Sequence, residues 1–292
     1  MLFSVVHRTT YLYANAVSLS HHTAHLRPLD LAHQTCRSHQ LAISPLPTSV
    51  EEARDYFGNG VAAFNITQPH RELVVEATSE VEIYARTPPE YLADRSWDIV
   101  AAEATAAASP DALYAIEFAF PSPSVEITDS IEAFARPSFP AGRSILEAAL
   151  DLSRRIYSEF TFDSQATTIT TAPAEVLTLK RGVCQDFAHV AIACCRAVGI
   201  PARYVSGYLE TQPPRGPPRL VGADASHAWF SVYCGGGDWI DVDPTNDRLA
   251  GIGHISVATG RDYRDVSPIR GIIIGGGQHT MDVGVDVERL LL

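Results

Sequence analysis

The sequence predicts an α+β protein in two parts: an N-terminal antiparallel β domain, then a core in which a cysteine-bearing helix meets further strands. Three observations carry that prediction. Residues 73 to 85 alternate apolar and polar side chains with a period of two. Residues 144 to 160 and 183 to 198 repeat apolar side chains at helical spacing. Beyond them "HAWFSVY" and "WIDVD" return to strand alternation on either side of "CGGGD". At 292 residues, 46% hydrophobic and 19% charged, the chain can bury a substantial core, and domains of about 150 residues make it one or two units.

The first domain spans residues 1–90. Its clearest strand puts Leu73, Val75, Ala77, Val81, Ile83 and Ala85 on one face and Glu76, Thr78, Glu80 and Glu82 on the other. In "YFGNGVAAF", Asn59 and Gly60 predict a tight hairpin, because both tolerate positive φ. Residues 91–127 read as a connecting segment, since Pro88, Pro89, Pro110, Pro121 and Pro123 surround an alanine-rich patch with room for one short helix. The core, 128–250, opens with a helix over 144–159 in which Ser144 and Glu147 form a capping box. A second helix over 183–198 ends where Gly199 suits the left-handed position and Pro201 blocks continuation. Then come a strand, "ARYVSGYLE", a loop, "TQPPRGPPRLVGADA", and the two strands around "CGGGD". Residues 251–292 are C-terminal strands packed on what precedes, with Met281, Val283, Val285 and Val287 on one face.

Charge and composition exclude several functions. A net charge of −12, with 34 acidic against 22 basic residues and no Lys/Arg-rich run, argues against nucleic acid and against an anionic membrane surface as partners. No run approaches the ~20 apolar residues of a membrane span, and "MLFSVVHRTTYLYANAVSLS" lacks the pattern of a signal peptide. Five cysteines without framework spacing favour free thiols in a reducing compartment, so a cytoplasmic protein is expected. His21, His22 and His25 in "HHTAH" lack a Cys or carboxylate partner at ligand spacing, so no metal site is expected there. Glycines 275 to 277 precede a strand rather than a helix, which disfavours a phosphate cradle.

The chemistry concentrates in "RGVCQDFAHV". Cys184 falls at a helix N-terminus, where unpaired N–H groups and the helix dipole stabilise the reactive thiolate. Cys194 and Cys195 lie about 15 Å further along the helix and read as packing side chains. Asp186 is expected to serve the same helix end electrostatically. If Cys234 to Asp238 form the turn of the later hairpin, Tyr233 faces Trp239, Ser231 faces Asp241 and Trp229 faces Asp243. His227 then stands diagonally from Asp243 on the same face, within the ~7–8 Å over which cross-strand neighbours interact. Cys184, His227 and Asp243 together are the residue set of a thiol-nucleophile triad. Trp229 flanks the pair as the candidate substrate contact, although an aromatic on a half-buried strand is also common. The loop over 211–225 leads directly into His227 and is expected to shape the cleft.

These stretches carry a family resemblance. "GVCQDFAHVAIACCRAVGIPARYVSGYL", "SHAWFSVY" and "WIDVDPTN" resemble the three motifs of the bacterial transglutaminase-like superfamily, whose core is papain-like. "RTTYLYANAVSLS", "LRPLD" and "DYFGNGVAAFNI" are similar to the β domain that precedes the core in one branch, and "GRDYRDVSPIRG" to that branch's C-terminal segment. The resemblance implies a cysteine-nucleophile core with Cys184 as nucleophile, His227 as base and Asp243 as orienting acid. It further implies acyl-enzyme chemistry on peptide or side-chain amides, with protein or peptide substrates and neither metal nor cofactor. A cysteine peptidase or amidase is expected first, a protein-glutamine acyltransferase second, and a non-catalytic peptide-binding module is the rival from another class. In one respect the chain departs from the pattern. Where many relatives place a tyrosine before the cysteine helix, "EFTFD" offers Phe162, leaving the Cys184 N–H as the one assigned oxyanion donor.

Overall fold

The computed structural model describes residues 1–85, 87–210 and 226–290. The N-terminal domain is built on β1 (Leu2–Ala24), β2 (Gln34–Ser44), β3 (Ser49–Arg54), β4 (Gly60–Ile66) and β5 (His70–Ile83). The alternation read in β5 holds for Leu73, Val75, Ala77, Val81 and Ile83, which are buried, whereas Ala85 lies beyond the strand's end and is exposed. The sheet runs β2-β5-β1-β4-β3, all antiparallel. Strand β1 is long enough to serve two sets of neighbours, with its register broken between Leu12 and Val17.

The expected Asn59-Gly60 turn is corrected. Arg54 pairs with Gly60, so a five-residue loop, 55–59, joins β3 to β4. The positive φ of +84° belongs to Gly58 instead. The Asp55 carboxylate accepts the Phe57 and Asn59 N–H groups at 2.9 and 2.8 Å, an Asx-type turn, and Asn59 Nδ2 as well at 2.8 Å.

Residues 91–127 do not form a linker. They hold α1 (Trp97–Ala106) and α2 (Pro110–Ile116), and Val100, Ala104, Ala115, Phe118 and Val125 join the main hydrophobic core. The prolines start and stop short helices here: Pro110 opens α2 behind the Ser109 cap, the position where its missing N–H costs nothing. Next come α3 (Asp129–Ala135), α4 (Ile145–Glu159), β6 (Thr161–Phe162), α5 (Pro173–Leu179) and β7 (Arg181–Gly182). As predicted, Ser144 caps α4, its hydroxyl accepting the Glu147 N–H at 3.2 Å.

The second predicted helix is α6 (Cys184–Ala197), followed by Gly199 at φ +81°. It packs on β8 (Ala202–Leu209) and β9 (His227–Gly235). With β10 (Asp238–Asp243), β11 (Arg248–Leu249) and β12 (His254–Gly260), these strands form a second antiparallel sheet in the order β11-β10-β9-β8-β12. One face, with Phe230, Val232, Ile240 and Val242, covers the helices. On the opposite side Tyr208, Ile255 and Val257 meet Phe3, Val5, Val81 and Ile83 of the N-terminal sheet. The core sheet is therefore buried on both faces.

After α7 (Tyr263–Val266), β13 (Ile269–Gly275) and β14 (His279–Leu290) return to the N-terminal sheet and pair with β1. The tail thus divides: β12 completes the core sheet and the last two strands complete the first one. Met281 faces solvent, whereas Val285 and Val287 are buried. Glycines 275–277 all have positive φ and turn the β13–β14 hairpin. Among the described residues no helix is long and apolar enough to cross a membrane.

Candidate active site

The cysteine sits at the first position of α6, and the preceding glycine explains how the chain gets there. A Cβ on Gly182 would lie 2.6 Å from the Asp186 carboxylate, so only glycine permits the loop to pass so close. That carboxylate accepts the Val183 N–H at 2.8 Å and the Thr167 hydroxyl at 2.6 Å. Asp186 therefore caps the helix directly, a stronger role than the electrostatic one expected from sequence. Burial raises its carboxyl above the ordinary value, against the pull of those two bonds. The Cys184 N–H lies in the first turn, where helix geometry gives it no internal partner.

The hairpin register follows the sequence arithmetic. Tyr233 pairs with Trp239, Ser231 with Asp241 and Phe230 with Val242. The turn itself is tighter than the five residues expected, since Gly235 pairs with Asp238 across an irregularity that leaves the rest of the ladder in place. His227 then reaches Asp243 through Nε2, 2.9 Å from Oδ2, and both side chains are fully buried. Among the described residues His227 Nδ1 is buried without a hydrogen-bond partner, and Cys184 lies near enough for its charge to act on the ring.

The electrostatics fit the arrangement. Burial alone lowers the His227 pKa, but the charges of Asp243 and Cys184 and the Asp243 hydrogen bond outweigh it and push the imidazole up to about 10. Asp243 shows the converse: burial raises its carboxyl, while His227 and His254 hold it far below the usual range. Cys184 is partly exposed, whereas Cys36, Cys194, Cys195 and Cys234 are buried. Burial pushes the Cys194 thiol up to about 12 and Cys195 higher still. Their packing role is as expected.

Trp229 requires a correction. Expected at a substrate groove, it is 0% exposed. Its ring lies near both His227 and His254, with centroids 6.1 and 5.3 Å away, and against Gly207, where a Cβ would come within 2.3 Å of it. The reason is the second layer: Trp229 alternates with Phe230, so it points to the face of the core sheet that the N-terminal sheet covers. The loop 211–225 lies outside the described residues. Phe162, in β6 beside the cysteine loop, is 41% exposed and turns its edge to Phe187, adding no hydroxyl. His21, His22 and His25 each have structural partners, respectively Asn65, the Phe64 ring and the Ser267 carbonyl.

Sequence reasoning missed the rest of the acid's surroundings. Asp243 Oδ2 also receives Asn246 Nδ2 at 2.7 Å and His254 Nε2 at 3.2 Å, and Oδ1 receives the Thr245 N–H at 3.0 Å. The "DPTN" turn was readable as an acid followed by its own donors. His254 carried no such signal.

Two family profiles match the chain: "Bacterial transglutaminase-like N-terminal region" over residues 3–82 and "Transglutaminase-like superfamily" over residues 133–244. An uncharacterised protein of Mycobacterium tuberculosis is 42% identical over 293 residues, covering 98% of this chain and 92% of the relative. An uncharacterised protein of Mycobacterium leprae is 32% identical, covering 98% of each chain. A solved structure named "Putative Cysteine Protease from Cytophaga hutchinsonii" superposes with a TM-score of 0.79 at 25% identity, covering 100% of this chain and 91% of that one.

Proposed function

This chain belongs to the transglutaminase-like superfamily, and from that premise we propose that it is a cysteine hydrolase acting on peptide or side-chain amides through an acyl-enzyme on Cys184. The observation that supports the reading is the buried His227, bonded through Nε2 to Asp243 and near enough to Cys184 for its charge to act on the ring. A protein that merely bound peptides would have no need of an imidazole held between a thiol and a buried acid.

In this reading the Cys184 sulfur attacks the amide carbonyl, and the oxyanion meets the Cys184 N–H at the start of α6. His227 gives its proton to the leaving amine, then takes one from the water that opens the thioester. Asp243 keeps the proton-bearing Nε2 turned inward, so that Nδ1 serves the reacting atoms. Amine transfer would pass through the same thioester, and the acceptor that reaches it decides the outcome.

The test loads the enzyme with the p-nitrophenyl ester of a blocked amino acid and follows the Cys184 peptide by mass. The adduct is expected to form on Cys184 and decay to the free acid, and to be missing in Cys184→Ala. If millimolar primary amine diverts nearly all product to the amide, the protein is an acyltransferase instead. Absence of any adduct on Cys184 would favour the peptide-binding module.

A further inference from the structure

Behind the acid stands a second histidine that the chemistry above does not use. His254, at the start of β12, aims Nε2 at the same Asp243 Oδ2 that receives His227, at 3.2 Å against 2.9 Å. Its Nδ1 accepts the Gly251 N–H at 3.2 Å, so the ring proton resides on Nε2 and is donated to the carboxylate. With Asn246 Nδ2 at 2.7 Å, a single oxygen takes three side-chain donors. Those donors approach from β9, from the turn after β10 and from β12, so the carboxylate can neither rotate nor withdraw without breaking a buried bond. His254 also meets the Trp229 ring edge to face, at 5.3 Å and 86°.

The strand that carries His254 is held from outside the core. One edge of β12 pairs with β8. Two residues, Ser256 and Thr259, are held instead by side-chain amides of the N-terminal domain, each bonding as a neighbouring strand would. Gln34 donates to the Ser256 carbonyl at 2.7 Å and accepts the Ser256 N–H at 2.8 Å. Asn59 donates to the Thr259 carbonyl and accepts the Thr259 N–H, both at 2.8 Å. All four of these contacts are buried, and Ile255 and Val257 anchor the strand in the apolar interface between the sheets.

We infer that His254 is a positioning residue for Asp243, and that the N-terminal domain sets the orientation of this acid through β12. The inference rests on the triad reading above. It gives the N-terminal domain a part in turnover without any contact to substrate.

The experiment measures kcat and KM for the p-nitrophenyl ester, whose deacylation needs His227 as base, in His254→Gln, His254→Asn, Gln34→Ala and Asp243→Asn. Gln places its Nε2 where the imidazole Nε2 was, so His254→Gln should keep kcat within about twofold. Asn is one methylene shorter, so His254→Asn should lose about tenfold in kcat with KM unchanged, the lower end of what outer partners of functional histidines cost. Gln34→Ala should lose kcat in the same sense, by less. Equal kcat in the Gln and Asn variants, beside a loss in Asp243→Asn, overturns the positioning role. A wild-type kcat in Gln34→Ala overturns the link to the N-terminal domain, and a wild-type kcat in Asp243→Asn overturns the triad reading itself.

Discussion

Cys184 differs from the other four cysteines in two ways at once: it is partly exposed, and a buried histidine stands beside it. Iodoacetamide at neutral pH is therefore expected to label Cys184 well before Cys194 and Cys195, whose thiols burial holds far from ionisation. Peptide mapping after limited labelling checks this, and equal labelling would contradict it. For the acid, Asp243→Asn should keep the fold and lose turnover, a loss that reaches ~10⁴ in the best-studied triad. Asp241→Asn, opposite Ser231 and one pair further from the histidine, should cost far less. An inactive Asp241→Asn beside an active Asp243→Asn would mean the wrong acid has been chosen. The pair also sets the pH response. The Asp243 carboxyl is depressed, so its contribution to stability is present above its ordinary value of 3.8 and is lost on acidification. His227 is raised from 6.5 to about 10, so its contribution is full below 6.5 and fades as pH climbs through 10. Melting temperature should fall at both ends, and in Asp243→Asn both slopes should flatten.

Among the elements, β8 is the one most constrained by its neighbours. Gly207 pairs with His227, and a Cβ there would lie 2.3 Å from both the Trp229 ring and the Ile255 carbonyl oxygen. Backbone cannot yield as a side-chain tip can. Gly207→Ala should therefore destabilise by about 3 kcal/mol, the upper end of ordinary overpacking, which urea titration would read. An unchanged midpoint would mean that Trp229 has room to move. The main elements were legible because their signals are local: the Ser144 cap, the Gly199 stop, the alternation of β5 and the constant-sum pairing of β9 with β10. The Asn59-Gly60 turn was misread for an equally physical reason. Its dipeptide suits a two-residue turn, but Asp55 and Gly58 close a longer one and Asn59 is committed to Thr259, 200 residues away in sequence.

For the molecule as a whole, the first strand and the last two lie in one sheet, with β14 pairing along the first half of β1 and β13 along the second. Neither half is then a free-standing unit. Calorimetry should show one unfolding transition; an early, separate transition of the N-terminal domain would contradict this. Asn59→Ala leaves the Thr259 N–H and carbonyl buried without their partner, at about 1–3 kcal/mol for each unmade bond. Its effect should appear as a lower melting temperature of the entire protein.

The sequence by itself determined the α+β class, the two principal helices, the hairpin register and the nearness of His227 to Asp243. Each of these depends on periodicity or pairing within a few turns of chain, which side-chain order encodes directly. Only the tertiary structure decided that residues 91–127 are core, that Trp229 is sealed from solvent, and that His254, Gln34 and Asn59 stand around the acid and its strand. Those facts depend on one sheet covering another and on hydrogen bonds spanning up to 222 residues. No local pattern records such contacts, because a buried amide or imidazole reads in sequence the same whatever it touches.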